Sequence, residues 1–448
     1  MDTLFSARAL MGVSLIFHTF FTPIGIGLPL LLFITEGIGL RTGDRRYREL
    51  ARAWTPAVGL LFAVGAVSGT VLSFELGLLW PKFMHYGGGI IGMPFGLEGF
   101  AFFTEAIFLA MYIYGWDRLS PRAHWLVSIP LFVSAAISSV FVISVNAWMN
   151  SPEGFRVVEG VVTDVDPWDA MLNASWLHEA IHGTLAAYVA AAFAVAAVCA
   201  VLMLRKSPAT HASLALSLAM ALGVVAILLQ IVAGDFAARR VASIQEEKFA
   251  AMEGQYDTQE GAPLRIGGIP IDGDTRLAIE LPRMLSLLTH GDVNAEVKGL
   301  NTIPNGDRPN EAATHISFQA MVGTGFALLA IAAWYWIARW RAKGSFAPGR
   351  WMLRTIALSG VLGFVAVQAG WFVTEFGRQP WVVRGFVRTS QGVTDRDGIG
   401  IFFVLFTLLY VAISAALVTA LLRWPHGSAA ARRPEPPAAA GMGVPHVV

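Results

Sequence analysis

The sequence predicts an all-α integral membrane protein with about nine transmembrane helices. Three observations carry that prediction. Of 448 residues, 55% are hydrophobic and only 14% charged, with a mean hydropathy of +0.58, far from the balance of a soluble domain. Several apolar stretches reach about 20 residues, enough to cross a bilayer. The polar connections between them alternate between basic and acidic or neutral, as the two sides of a membrane require.

The spans fall at roughly 13–40, 53–79, 95–116, 124–148, 176–204, 213–238, 313–340, 354–375 and 397–423, with ends good to a few residues. Only Arg8 precedes the first apolar run, which continues to about Ile38 without a clear small-residue cleavage site. It reads as a first span, being too long for a signal peptide. "RTGDRRYRELAR", "WDRLSPR", "LRKS" and "RWRAKGSFAPGR" follow the first, third, fifth and seventh spans, whereas "EGVVTDVDPWD" follows the fourth. Basic connections stay cytoplasmic, so the N-terminus is expected outside and the C-terminus inside. Trp54, Trp80, Trp116, Trp148, Trp176 and Trp340 sit near span ends, as interfacial anchors do.

The chain divides into helices 1–6 (1–238), a long connection (239–312) on the expected outer side, helices 7–9 (313–424) and a Pro/Ala-rich tail (425–448) expected to be disordered. A net charge of +1 carries no nucleic-acid signal. The single Cys199 excludes a disulfide framework, a Cys-ligated iron–sulfur cluster and a C-x-x-C-H haem attachment.

Ionisable groups inside a membrane are costly, so they point to function. The spans carry His18, Glu75, Glu98, Glu105, Asn146, His178, His182 and Glu375. Glu98 and Glu105 are seven apart, two turns along one helix face and roughly 10 Å from each other. Such a pair suits a proton relay, or a cation site in a secondary transporter. "WFVTEFGRQPWVV" places Arg378 three residues after Glu375, at helical neighbour spacing.

"HEAIH" matches the helical zinc-protease motif. A catalytic zinc needs a third protein ligand, and the later spans offer Asp only near their ends, at Asp235 and Asp397. The other partner for His182 is Met321 in "SFQAMVGTGF", where small residues let a flat macrocycle approach the backbone. His with Met is an axial pair for electron-transferring haem.

"FHTFFTPIGIGLP", "LEGFAFFTEAIFLAMYIYGWDRL", "SVNAWMNSPEGF", "HGTLAAY", "SFQAMVGTGF" and above all "WFVTEFGRQPW" together resemble subunit I of the cytochrome bd family of quinol:oxygen oxidoreductases. The resemblance runs from the first span to the ninth and implies a haem-binding bundle. His182 and Met321 match the axial ligands of a low-spin haem b. His18 and Glu375 match the ligands of two high-spin haems, one a haem b and the other haem d or a third haem b, with Glu98 at the pair. Glu105 matches the inner carboxylate of a proton route. Arg378 matches an arginine near haem propionates, and Trp371 an aromatic between low-spin and high-spin haems.

In the long connection, "KFAAMEGQY" by itself reads as a solvated amphipathic surface helix. The resemblance makes it part of a quinol-binding loop with Lys248 and Glu253 at the quinol, in the short-loop branch. The family implies oxidation of quinol outside and reduction of O2 to water, electrogenic without proton pumping, in the bacterial inner membrane. Its partners are a homologous membrane subunit II, with small single-helix subunits as further candidates. Gln319 stands where many members carry Arg, and the sequence leans towards the cyanide-insensitive branch.

Overall fold

The computed structural model describes residues 2–206, 211–344 and 346–423. The tail at 425–448, expected to be disordered, lies outside the described residues. Among these, nine helices are long and apolar enough to cross a membrane. They are α1 (Thr3–Thr42), α2 (Arg45–Leu79), α3 (Pro81–Gly115), α4 (Pro121–Asn150), α6 (Trp176–Leu204), α7 (Ala212–Ile244), α10 (Glu311–Arg341), α11 (Arg350–Arg378) and α13 (Ile399–Arg423). Four short helices, α5 (Pro167–Met171), α8 (Glu246–Glu253), α9 (Met284–His290) and α12 (Thr389–Gly392), lie between them.

Most helices outrun the spans expected from hydropathy, because caps end a helix and apolarity does not. Asp2 accepts from the Phe5 amide, so α1 starts ten residues earlier than the expected 13. Asp44 does the same for α2, and Asn310 for α10. α7 continues to Ile244, so the long connection begins later than the expected 239.

α6 is the central post, packed against α1, α4, α7 and α11. Its buried face is mostly alanine, from Ala187 through Ala190, Ala191 and Ala196 to Ala200. Small residues let helices approach closely where lipid gives no hydrophobic drive. Gly27 of α1 is the tightest case, since a Cβ there would lie 2.2 Å from Ala191 Cβ. We expect Gly27→Ala to cost roughly 1–3 kcal/mol by overpacking. A clearly lower thermal midpoint of the detergent-solubilised protein would show it, and an unchanged midpoint would contradict so close an α1–α6 contact.

The connections at one end of the bundle carry the structure that closes the site. There β1 (Arg156–Val158) pairs with β2 (Val161–Thr163), and β7 (Trp381–Val383) with β8 (Val387–Arg388). Between α7 and α10, β3 (Gln259–Glu260) pairs with β6 (Glu296–Val297). In the same connection β4 (Leu264–Ile271) and β5 (Asp274–Leu281) form an antiparallel hairpin with Gly267 opposite Ala278. The helix α8 is not a solvated surface helix: Lys248 through Glu253 are all buried. It packs on α7, α10 and α11.

Candidate functional site

One continuous cavity of about 1610 Å³ runs from beneath this connection into the bundle. An ordinary small-molecule pocket is roughly 300–1,000 Å³, so the space exceeds one such ligand. His18, Glu98, Glu105, His182, Lys248, Glu253, Met321, Trp371, Glu375 and Arg378 all line it. Residues spread over 360 positions of sequence thus face one space, because α1, α3, α6, α8, α10 and α11 surround it.

His18 is oriented by Ser68 of α2, whose Oγ lies 2.8 Å from Nδ1. The Ser68 hydroxyl donates to the Val64 carbonyl at 2.9 Å. Its oxygen therefore accepts from Nδ1–H, which leaves Nε2 with a free lone pair. That is the state of a metal-ligating imidazole. Gly69 lies beside the ring, where a Cβ would come 3.3 Å from Cε1.

His182 lies against Gly234 of α7, and the Gln230 amide nitrogen lies 3.1 and 3.2 Å from its two ring nitrogens. Met321 approaches α11 at Gly370, where a Cβ would meet Sδ at 3.2 Å. Each of these three side chains is thus backed by a glycine on a neighbouring helix.

Glu375 accepts from Asn146 Nδ2 at 2.8 Å and from Arg378 Nη2 at 2.5 Å. Arg378 is 4% exposed, yet its Nε and Nη1 have no partner. Buried, unpaired cationic donors are expensive. They suit an anionic group in the cavity, such as a haem propionate. Both ring nitrogens of buried His178 also lack partners. Glu98 accepts from Ser138 of α4 at 3.2 Å, and Glu105 is buried two turns along the same helix.

The family model described as cytochrome bd terminal oxidase subunit I matches residues 6–427. The chain belongs to this family. A Bacillus subtilis (strain 168) protein with the provisional name cytochrome bd menaquinol oxidase subunit I is 37% identical over 428 residues, covering 94% of this chain and 96% of the relative. A cytochrome bd ubiquinol oxidase subunit 1 from the same strain is 30% identical, covering 94% and 93%. The structure of bd oxidase from Geobacillus thermodenitrificans has a TM-score of 0.89 at 36% identity, covering 94% of this chain and 98% of that one. The chain is thus a multi-pass membrane protein of the bd oxidase type.

In this subunit I the two loop residues have different neighbours. Lys248 Nζ donates to Asn150 Oδ1 at 2.6 Å. Asn150 Nδ2 in turn reaches Asn146 Oδ1 at 3.0 Å and Glu179 Oε1 at 3.2 Å. A polar network therefore joins Lys248 through Asn150 and Asn146 to Glu375. Burial pushes the Lys248 amine down to about 8, with the Glu179 carboxylate opposing the shift. Glu253 is five positions on, roughly 140° around α8. Burial raises its carboxyl to about 8, with Arg265 opposing. Its Oε2 has no partner.

From the sequence, Asn146 is only a polar interruption, Glu179 enters only as the acidic residue of the zinc-protease motif, and Asn150, Ser68 and Gln230 carry no role. A signal existed for two of them. Asn146 and Asn150 stand at i,i+4 within "NAWMN", and so share a helix face. The zinc reading of "HEAIH" is not supported by the relatives. Glu179 is engaged by Asn150, and no group of three His, Cys, Asp or Glu suited to a metal ion occurs among the described residues.

Proposed function

We propose that this chain holds the haem groups of a quinol oxidase and binds quinol beneath the α7–α10 connection, on the outer side of the bacterial inner membrane. The observation that carries the reading is the single cavity. It joins Lys248 and Glu253 under the connection to His18, His182, Met321 and Glu375 in the bundle. The basic stretches after α1, α3 and α10 lie at the opposite end of the helices, which supports an outward-facing connection.

His182 and Met321 would hold a low-spin haem b. His18 and Glu375, with Glu98 beside them, would hold a high-spin pair: haem b with haem d or with a third haem b. Arg378 would neutralise a propionate, and Trp371 would stand between the low-spin and high-spin groups. Haem bound there supplies one-electron transfer and an iron that takes O2.

The chain's own residues handle the protons. Glu253 accepts a proton from quinol as the quinol is oxidised, and releases it outside. Lys248 holds the Asn150–Asn146 network that orients Glu375. Glu105 and then Glu98 pass protons from the cytoplasmic side towards the site where water forms, so charge separates without a pump. The exposed apolar faces of α3 and α13, including Phe100, Phe103, Ile401 and Leu408, suit lipid and a homologous membrane subunit II, with small single-helix subunits as further neighbours. A cation-coupled transporter is not supported by the relatives.

A reduced-minus-oxidised visible spectrum of the purified complex tests the reading. Bands of low-spin and high-spin haem, with quinol-dependent oxygen uptake, are expected; a preparation without haem absorption would end it.

Glu253 makes a second test. Its carboxyl is neutral below about 8 because burial disfavours the charge. A proton acceptor must be ionised, so kcat for quinol should rise with pH towards a plateau above that value. Glu253→Gln should remove the rise and lower turnover about 10²–10⁴-fold, with all haem signals kept. Lys248→Ala should also weaken quinol oxidation. Oxygen uptake with an artificial electron donor should survive better in both variants, and equal loss with both donors would place these residues outside the quinol site.

A further inference from the structure

Gly267 in β4 turns its amide and carbonyl towards α10. Its amide donates to Gln319 Oε1 at 3.0 Å, and Gln319 Nε2 donates to the Arg265 carbonyl at 2.9 Å. One turn earlier on the same face of α10 stands His315, which is fully buried. Its Nε2 lies 2.9 Å from the Gly267 carbonyl, and its Nδ1 lies 2.8 Å from the Met252 carbonyl. Carbonyl oxygens only accept. Both contacts can be hydrogen bonds at once only if both ring nitrogens donate, as in imidazolium.

The position is built for that ring. Met252 lies in the last turn of α8, where carbonyls lack helical partners and favour a cation. Gly254 follows with φ +62°, and a Cβ there would lie 3.2 Å from His315 Nδ1. Thr275 of β5 closes the other side by donating to the Gly254 carbonyl at 2.8 Å.

We propose that His315 is a proton-dependent latch. As imidazolium it ties the end of α8, with Glu253, to the β4 hairpin over the cavity. A neutral ring keeps one N–H and turns a lone pair against a carbonyl, so one contact must open. Gln319 holds β4 on α10 independently, so the end released is that of α8 at Met252 and Glu253. His315 is thereby a positioning residue for the carboxylate next to it. The effect on quinol rests on the quinol placement proposed above; the latch itself does not.

The charged groups on the surrounding elements are Glu246, Glu247, Lys248 and Glu253 on α8, Arg265 on β4, Asp274, Arg276 and Glu280 on β5, and Glu311 in the first turn of α10. Arg265 is engaged by Gln255 and Glu280, and Glu311 by Tyr256. Glu253 also titrates near 8, so the test must separate the two.

Hydrogen exchange of the assembled oxidase, corrected for intrinsic rates, separates them at about pH 6 and about pH 8.5. Protection of the amides in 250–256 should fall about tenfold at the higher pH, the scale of one lost hydrogen bond. In His315→Gln it should be low at both, because one amide nitrogen cannot serve two carbonyls on opposite sides. KM for quinol should rise with pH in the native enzyme and be flat in the variant, whereas the Glu253 effect falls on kcat. Equal native protection at the two pH values would overturn the proposal. So would the same pH dependence in His315→Gln, which would assign the change to Glu253. If that variant does not assemble, Glu253→Gln decides: with no titrating carboxyl at 253 the pH dependence of exchange should persist, and its loss would overturn the proposal. Exchange that follows pH beside a KM that does not would keep the latch and count against quinol beneath it.

Discussion

Met321→Leu is expected to abolish the low-spin haem b signal while the protein still assembles. Leucine matches methionine in size and apolarity, so a swap at this half-buried position should cost less than about 1.5 kcal/mol. The contact with Gly370 is tight at 3.2 Å, but a flexible side chain can adjust there. What leucine lacks is the thioether, a ligand that raises haem potential. The low-spin alpha band should vanish or give way to a five-coordinate spectrum, with the high-spin bands kept. Losing even an outer-shell partner of a metal site costs up to about 100-fold. Loss of a ligand should cost quinol-driven turnover at least as much. An unchanged alpha band in this variant would remove Met321 from the ligand set.

The second large effect is expected at Glu105. It is buried in α3, two turns from Glu98 and further from the loop end of the bundle. Glutamine keeps the shape and an acceptor oxygen but neither titrates nor carries charge. If Glu105 relays protons, Glu105→Gln should slow turnover and proton uptake by about 10²–10⁴-fold with little spectral change. Glu98 already accepts from Ser138, a bond that a glutamine carbonyl can keep. On the proposed haem placement, Glu98→Gln should instead disturb the high-spin spectrum, because it removes an ionisable carboxyl beside those groups. Near-native turnover with both glutamines in place would return the pair to a structural role.

The helices were legible because hydropathy and length act locally. Nine spans were expected, and nine helices able to cross a membrane are found among the described residues. Their ends were less legible, since Asp2 and Asn310 prolong helices through polar residues by capping. The short helix α8 was misread from its polar composition alone. Its charges are buried because α7, α10 and α11 surround it, and composition does not reveal which neighbours a helix will have. Gln319 was noted only as a missing arginine. The structure gives its amide a different task, pairing with the backbone of β4 at Arg265 and Gly267.

By itself the sequence determined the class of molecule, the number of spans and which rare polar side chains enter the membrane. Those follow from transfer energies and helical periodicity, which depend on near neighbours in the chain. Tertiary structure alone decided that Ser68 orients His18, that Asn150 links Lys248 to Glu375 through Asn146, and that His315 bridges α8 and β4. Apart from the Asn150–Asn146 step within α4, each of these is a hydrogen bond between groups 48 or more residues apart. Such bonds depend on how helices pack and at what register, which no local pattern in the chain encodes.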